Sequence, residues 1–192
     1  ASFLSKGFID EAREHAEKII SEIKALGGGA DVSVVGCEPP EVYCLKHEYF
    51  ALLPERCAEI ESITKNVWLV DEFILRVGSW ARKIQLPENK TKVIFHPHCH
   101  QRAEGLADDG LPSGAFATVE MLRMAGYEVE VTDDGCCGMA GTFGYDAEHY
   151  DLSMQIGELR LLPKMRDEKL KGEVLSSGSA CRSFPKRRAR SS

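Results

Sequence analysis

The sequence predicts an α/β fold: a parallel sheet of about four strands with helices on both faces and cysteines on loops at its carboxyl edge. Two observations carry that expectation. Four short runs rich in β-branched residues, at 32–35, 92–95, 127–131 and 173–175, alternate with stretches of helical periodicity. Such alternation is the mark of parallel strands joined by right-handed crossovers. Each run is also followed closely by cysteine: Cys37 and Cys44, Cys99, the adjacent pair Cys136-Cys137, and Cys181. Parallel strands share one carboxyl edge, so all these thiols are expected where open α/β sheets place their ligand sites.

The elements follow in order. A first helix is expected over about 5–26, where Phe8, Ala12, Ile19, Ile23 and Leu26 form an apolar stripe that Gly27, Gly28 and Gly29 close. Strand one, 32–35, precedes two helical segments, 41–53 and 55–64, which Pro54 separates, and a third, 70–84, that stops before Pro87. Strand two, 92–95, is apolar on both faces, as a buried parallel strand should be. A polar loop at 107–113 leads to a helix over 118–125 that Gly126 closes. Strand three, 127–131, runs into the cysteine pair; a long helix is expected over 146–161, and strand four, 173–175, leads to Cys181. The segments 1–23 and 140–159 share a small-residue opening, aromatics and a following helix. That faint repeat, with the absence of an initiator Met, is read as the second half of a duplicated, longer protein.

Composition narrows the function. With 192 residues, 43% hydrophobic and 28% charged, residues 1–184 are expected to form a single domain that buries a core without staples. No run of 18 apolar residues is present, so no membrane span is expected. No charged-then-apolar leader is seen either, which points to the cytoplasm, with peripheral membrane association compatible. Net charge is −6 although Lys186, Arg187, Arg188 and Arg190 crowd the last residues. The body is therefore more acidic still, which argues against binding a nucleic-acid backbone. The basic stretch 185–192 is expected to be a disordered tail. Seven cysteines, two of them adjacent and none behind a secretion signal, favour metal binding or thiol redox chemistry over a disulfide framework.

Cys136-Cys137-Gly138 is the densest site. Adjacent cysteines cannot readily both face one tetrahedral ion, but they can hold different irons of a cluster, while Gly135 and Gly138 let backbone N–H groups approach sulfur. Cys99 lies among His96, His98 and His100. Those imidazoles leave zinc open, although successive residues of an extended segment face opposite sides. His100, adjacent to Gln101-Arg102, is expected to stand behind the ligands as a donor to a thiolate or to an electron-transfer partner, and is a further candidate metal ligand. His96 and His98 read equally well as locally satisfied polar groups. Arg102 and Arg182 stand beside cysteines whose thiolate charge they would offset. Cys37 or Cys44 offers a further ligand, with Glu41 as a hard-ligand competitor, and Cys57 reads as a small packing residue. Phe143, Tyr145 and Tyr150 are read as core or as a cover over the site. No GxGxxG, phosphate-loop, GxSxG or HExxH motif occurs.

Taken together, HCHQ, CCGMAGTFGYDAEHY and SGSACR resemble the CCG cysteine-rich domain of heterodisulfide reductase B-type subunits. The same domain occurs in the iron-sulfur subunits of glycolate and anaerobic glycerol-3-phosphate dehydrogenases. The likeness is greatest to the iron-sulfur region of FAD-linked D-lactate- or glycolate-type oxidases. The resemblance implies an iron-sulfur cluster, [4Fe-4S] and non-cubane in some members, with zinc in some copies. Its ligands here would be Cys99, Cys136, Cys137 and Cys181. It implies electron transfer from FAD on a partner domain or subunit to a quinone or other carrier, with no turnover by this chain alone. Two departures stand out: EPPE places Glu41 where relatives have the cysteine of EPSC, and Cys181 is single where many relatives carry CxxC. A structural zinc module for subunit assembly and a thiol redox protein are the alternative readings.

Overall fold

The computed structural model describes residues 1–29, 32–77, 91–132, 135–167 and 172–188. They fall into two units, Ala1–Phe73 and Ile74–Ser192. In the first, α1 (Ser2–Ser5) and α2 (Ile9–Ala25) are separate helices. The single helix expected from residue 5 is interrupted at Gly7, whose φ of 79° ends the first turn. The buried stripe of α2 is Ala12, Ala16 and Ile20. Phe8 and Leu26, expected on it, are exposed and stand at the two caps of α2, outside its turns.

Strand β1 (Val34–Gly36) pairs in parallel with β2 (Val67–Leu69), Val34 opposite Val67 and Gly36 opposite Leu69. Between them run α3 (Pro39–Tyr43), a π-helical turn (Cys44–Glu48), α4 (Tyr49–Leu52), a 3-10 turn (Pro54–Arg56) and α5 (Cys57–Thr64). Pro54, lacking an N–H, separates α4 from α5 as expected. The next helix, α6, covers Val70–Val77, and the remainder of the helix expected to residue 84 lies outside the described residues.

The core of this unit gathers Ile20, Tyr43, Leu53, Ile60, Ile63 and Leu69. Fully buried Glu72 is held there: Tyr43 Oη donates to its Oε1 at 2.8 Å and the Leu69 N–H to its Oε2 at 2.9 Å. An amide presents one acceptor where the carboxylate presents two. Glu72→Gln is therefore expected to cost about 1–3 kcal/mol by facing a donor with a donor. The check is a lower urea midpoint at unchanged m-value; an unchanged midpoint would refute the account.

The second unit is built on β3 (Lys92–His96), flanked in parallel by β4 (Glu128–Val131) and β5 (Glu173–Ser176) in the order β4-β3-β5. Phe95 lies opposite Val131 and Leu175, and His96 opposite Ser176. Val93, Ile94 and Phe95 are essentially fully buried, so the central strand is covered on both faces, which explains its unbroken apolar run. Its helices are α7 (Cys99–Ala103), α8 (Gly114–Met124), α9 (Tyr150–Leu159), α10 (Leu161–Met165) and α11 (Ser179–Arg188). Residues 189–192 of the basic tail lie outside the described residues.

Three features differ from expectation. The described strands form a two-stranded and a three-stranded sheet, not one sheet of four, because β2, unread in the sequence, gives β1 its own partner. The long helix over 146–161 is instead a 3-10 turn (Ala147–His149), preceded by another at Phe143–Tyr145, then α9 and the first residue of α10. Pro163 explains the second break: it has no N–H for the Leu159 carbonyl, and its ring crowds that residue. Lastly, α7 begins at Cys99 itself. Among the described residues no helix is long and apolar enough to cross a membrane.

Candidate metal centre

Because β3, β4 and β5 run the same way, the segments leaving them start from one edge of the sheet. From β3 a turn through Pro97 and His98 delivers Cys99 at the start of α7. The segment after β4 carries Cys136 and Cys137, and that after β5 enters α11 with Cys181. The Cys137 thiol donates to Cys181 Sγ at 3.3 Å, and both residues are buried. Cys136 and Cys99 are exposed. The Gly138 N–H donates to Cys136 Sγ at 3.3 Å, and Cys99 Sγ stands 3.8 Å from His98 Nδ1.

The four thiols act on one another electrically. The neighbouring Cys137 thiol, followed by burial, pushes the Cys136 thiol far above its ordinary range. Cys136 draws Cys137 down, but contact with Cys181 and burial outweigh it and leave Cys137 raised to about 11. The contact from Cys137 lowers Cys181, which also feels Cys99 and Cys136. Burial raises Cys99, and the charge of Cys136 adds to it. His98 is lowered to about 4, by burial first and by His100 and His96 after it.

Two glycines set the approach of these segments. Gly138 has φ +89°, and a Cβ there would lie 2.1 Å from the Ser153 carbonyl oxygen, so the cysteine pair is pressed directly against the backbone of α9. A Cβ on Gly178 would lie 2.4 Å from His98 Cδ2, so the β5 segment passes against that imidazole.

A set of polar contacts ties the three segments together, joining His96, His98 and Arg102 to Gln101, Thr118, Thr132 and Ser177, which the sequence did not single out. The His98 N–H donates to Ser177 Oγ at 3.2 Å, the Ser177 hydroxyl donates to Gln101 Oε1, and Gln101 Nε2 donates to Thr118 Oγ1 at 3.0 Å. On the other side His96 Nδ1 lies 3.2 Å from Thr132 Oγ1, and Arg102 Nη2 donates to the Thr132 carbonyl at 2.6 Å. His98 Nδ1 accepts from the His100 N–H at 3.2 Å, capping α7. His96 and His98 thus have local partners. Gln101 directly follows HCH and Ser177 lies in SSGS, and that adjacency to the cysteine-bearing motifs is the signal that could have found them.

Cys37, Cys44 and Glu41 belong to the first unit. Cys37 is exposed just after β1, while Cys44 is buried at the head of the π turn, and burial pushes its thiol up to about 11. Cys57 donates to the Phe50 carbonyl at 3.8 Å. Phe143 stacks on His149 with ring centroids 4.0 Å apart, and Tyr145 is exposed.

The donor chemistry fits a thiolate-held group. Sulfurs that share a neighbourhood resist ionisation unless a cation joins them, and a backbone N–H already points at one of them. Among the described residues no three or more His, Cys, Asp or Glu side chains are closed around a point as a single-ion site is.

No family model matches the chain, and no solved structure matches it. Among curated proteins it is similar to a subunit of the anaerobic glycerol-3-phosphate dehydrogenase of Escherichia coli K12, with 27% identity over 155 residues, 80% of this chain and 36% of the relative. It is also similar to D-2-hydroxyglutarate dehydrogenase of Pantoea ananatis, with 30% identity over 186 residues, and to that of Escherichia coli K12, with 27% over 191. These two alignments cover 95% of this chain and 16% of each relative. The chain therefore spans about a third of the glycerol-3-phosphate dehydrogenase relative and about a sixth of the D-2-hydroxyglutarate dehydrogenases.

Proposed function

We propose that this chain is the iron-sulfur electron-transfer part of a flavin-linked dehydrogenase acting on a 2-hydroxy acid or a related small hydroxylated substrate. The observation that carries it is that the segments bearing Cys99, Cys136, Cys137 and Cys181 all leave the carboxyl ends of three parallel strands, with Cys137 and Cys181 in contact and Gly138 N–H donating to Cys136 Sγ. Similarity to dehydrogenases of glycerol-3-phosphate and D-2-hydroxyglutarate supports the redox reading, since both named substrates bear a hydroxyl group. When bound, a [4Fe-4S] cluster accepts and releases one electron at a time. The chain's own residues have three tasks: the four thiolates hold iron, the Gly138 N–H stabilises charge on sulfur, and burial of Cys137 and Cys181 limits water. The Gln101–Ser177–His98 and Arg102–Thr132–His96 contacts hold the cysteine-bearing segments in place, as partners behind metal ligands do. FAD resides on another domain or a partner subunit, a quinone or other carrier takes the electrons, and the unit works in the cytoplasm, free or at the membrane surface.

The test is anaerobic purification followed by iron, zinc and acid-labile sulfide analysis with a visible spectrum. About four irons and about four sulfides per chain with broad absorbance are expected. A second reading, a structural zinc module, draws on one observation: the Cys99 sulfur lies 3.8 Å from the ring nitrogen of buried His98, a Cys/His donor combination suited to zinc. About one zinc per chain and no colour would establish it in place of the cluster.

A further inference from the structure

Cys137 and Cys181 stand 44 residues apart in sequence and on different elements, yet their Sγ atoms are 3.3 Å from each other. They are 5% and 8% exposed. A disulfide needs a separation of about 2.05 Å, so closure requires a movement of just over an ångström, within reach of small side-chain rotations. The adjacent Cys136 and Cys137 are poorly placed to bond to each other. Cα atoms across a trans peptide lie about 3.8 Å apart, short of the roughly 4.4–6.8 Å that disulfides span. Cys181 therefore has a partner for which the fold has already brought the chain segments together, and Cys137 has no better one among the described residues.

The geometry points to Cys137 and Cys181 as a reversible disulfide pair that closes when the site holds no metal and a hydroperoxide is present. The inference concerns the sulfurs of the proposed cluster and rests on that reading only for its effect on iron uptake. The Cys181 sulfur, which accepts the contact from Cys137, attacks one peroxide oxygen. The O–O bond breaks, water leaves after protonation, and Cys181 becomes a sulfenic acid. Cys137 then attacks that sulfur, the S–O bond breaks, and a second water leaves with the remaining thiol proton. Two thiols are oxidised to one disulfide and one hydrogen peroxide is reduced to two waters. The bond fastens the cysteine-pair segment to α11 and withdraws two of the four thiols from metal. Thiol reductants restore them by exchange.

The test uses the full chain, stripped of metal under reductant, desalted and treated with equimolar hydrogen peroxide. It is then digested without reduction and mapped by mass spectrometry, with iron uptake measured in parallel. The expected product is one cross-linked peptide pair holding Cys137 and Cys181 that dithiothreitol releases. Iron uptake should fall by about tenfold or more in the oxidised chain and return on reduction. Cys181→Ser should abolish the cross-link, while Cys57→Ser keeps it. A cross-link mapped to Cys99 or Cys136 instead, or oxidation that leaves no internal cross-link, overturns the proposal. A mapped Cys137–Cys181 bond in a chain that takes no iron in either state supports the pair and counts against the cluster.

Discussion

Cys136→Ser and Cys137→Ser are each expected to lower iron and sulfide in the anaerobically purified chain by more than about tenfold and to remove the visible band. Far-UV circular dichroism should stay near that of the parent. The two substitutions act from different positions. Cys136 is exposed and receives the Gly138 N–H, so serine there removes a thiolate at little structural cost. Cys137 is buried beside Met139, Leu161 and Leu162. A hydroxyl in that setting adds about 1–2 kcal/mol of destabilisation, which lowers the thermal midpoint without dissolving the β4-β3-β5 sheet. Cys57→Ser is the control, since its thiol meets the Phe50 carbonyl in the first unit; it should keep full iron. If both pair variants retain iron and colour, the ligand assignment is wrong. If they lose colour only by unfolding, circular dichroism reveals it.

How much of this was legible beforehand differs from element to element. The strands of the second unit were readable because β3 is apolar on both faces, β4 alternates glutamate with valine, and β5 is a short run around Val174 and Leu175 closed by Ser177 and Gly178. Their parallel pairing then brings the segments bearing Cys99, Cys136, Cys137 and Cys181 to one edge. By contrast, β2 is three residues long and runs straight into α6, so the apolar sequence Val67-Trp68-Leu69-Val70 carries no period of its own. The π turn at Cys44–Glu48 has the same side-chain pattern as the helix around it and is invisible to periodicity. The break between α9 and α10 was signalled by Pro163, whose effect falls on residues before it.

The frame around the thiols was the least legible part. Gln101, Thr118, Thr132 and Ser177 are ordinary polar residues spread over 76 positions, and only the fold aligns them: Ser177 reaches Gln101 across that whole separation. Nothing in the spacing of such residues announces a shared task. The cysteines could be found because their side chains carry rare chemistry, whereas the residues that aim them carry common chemistry in an uncommon place.

Gly138→Ala is expected to be the most disruptive single-methyl change in the second unit, costing about 3–5 kcal/mol and taking the iron with it. Two effects add. At φ +89° any L side chain is strained, at about 1–2 kcal/mol. The added Cβ would also lie 2.1 Å from the Ser153 carbonyl oxygen and 3.0 Å from its carbon. Those are backbone atoms of α9, which cannot rotate away as a side-chain tip can. The cysteine-pair segment must lift off the helix, and the N–H that points at Cys136 Sγ moves with it. Two other glycines separate the contributions. Gly105 has an ordinary φ and open space around its Cβ position, so Gly105→Ala should stay within about 0.5 kcal/mol of the parent. Gly110 has φ +72° with nothing within 4 Å, so Gly110→Ala should cost only the backbone term, about 1 kcal/mol. Urea unfolding of the three variants ranks them. A Gly138→Ala chain no less stable than Gly110→Ala would mean that α9 does not hold the cysteine pair, and its iron content would then be expected to match the parent's.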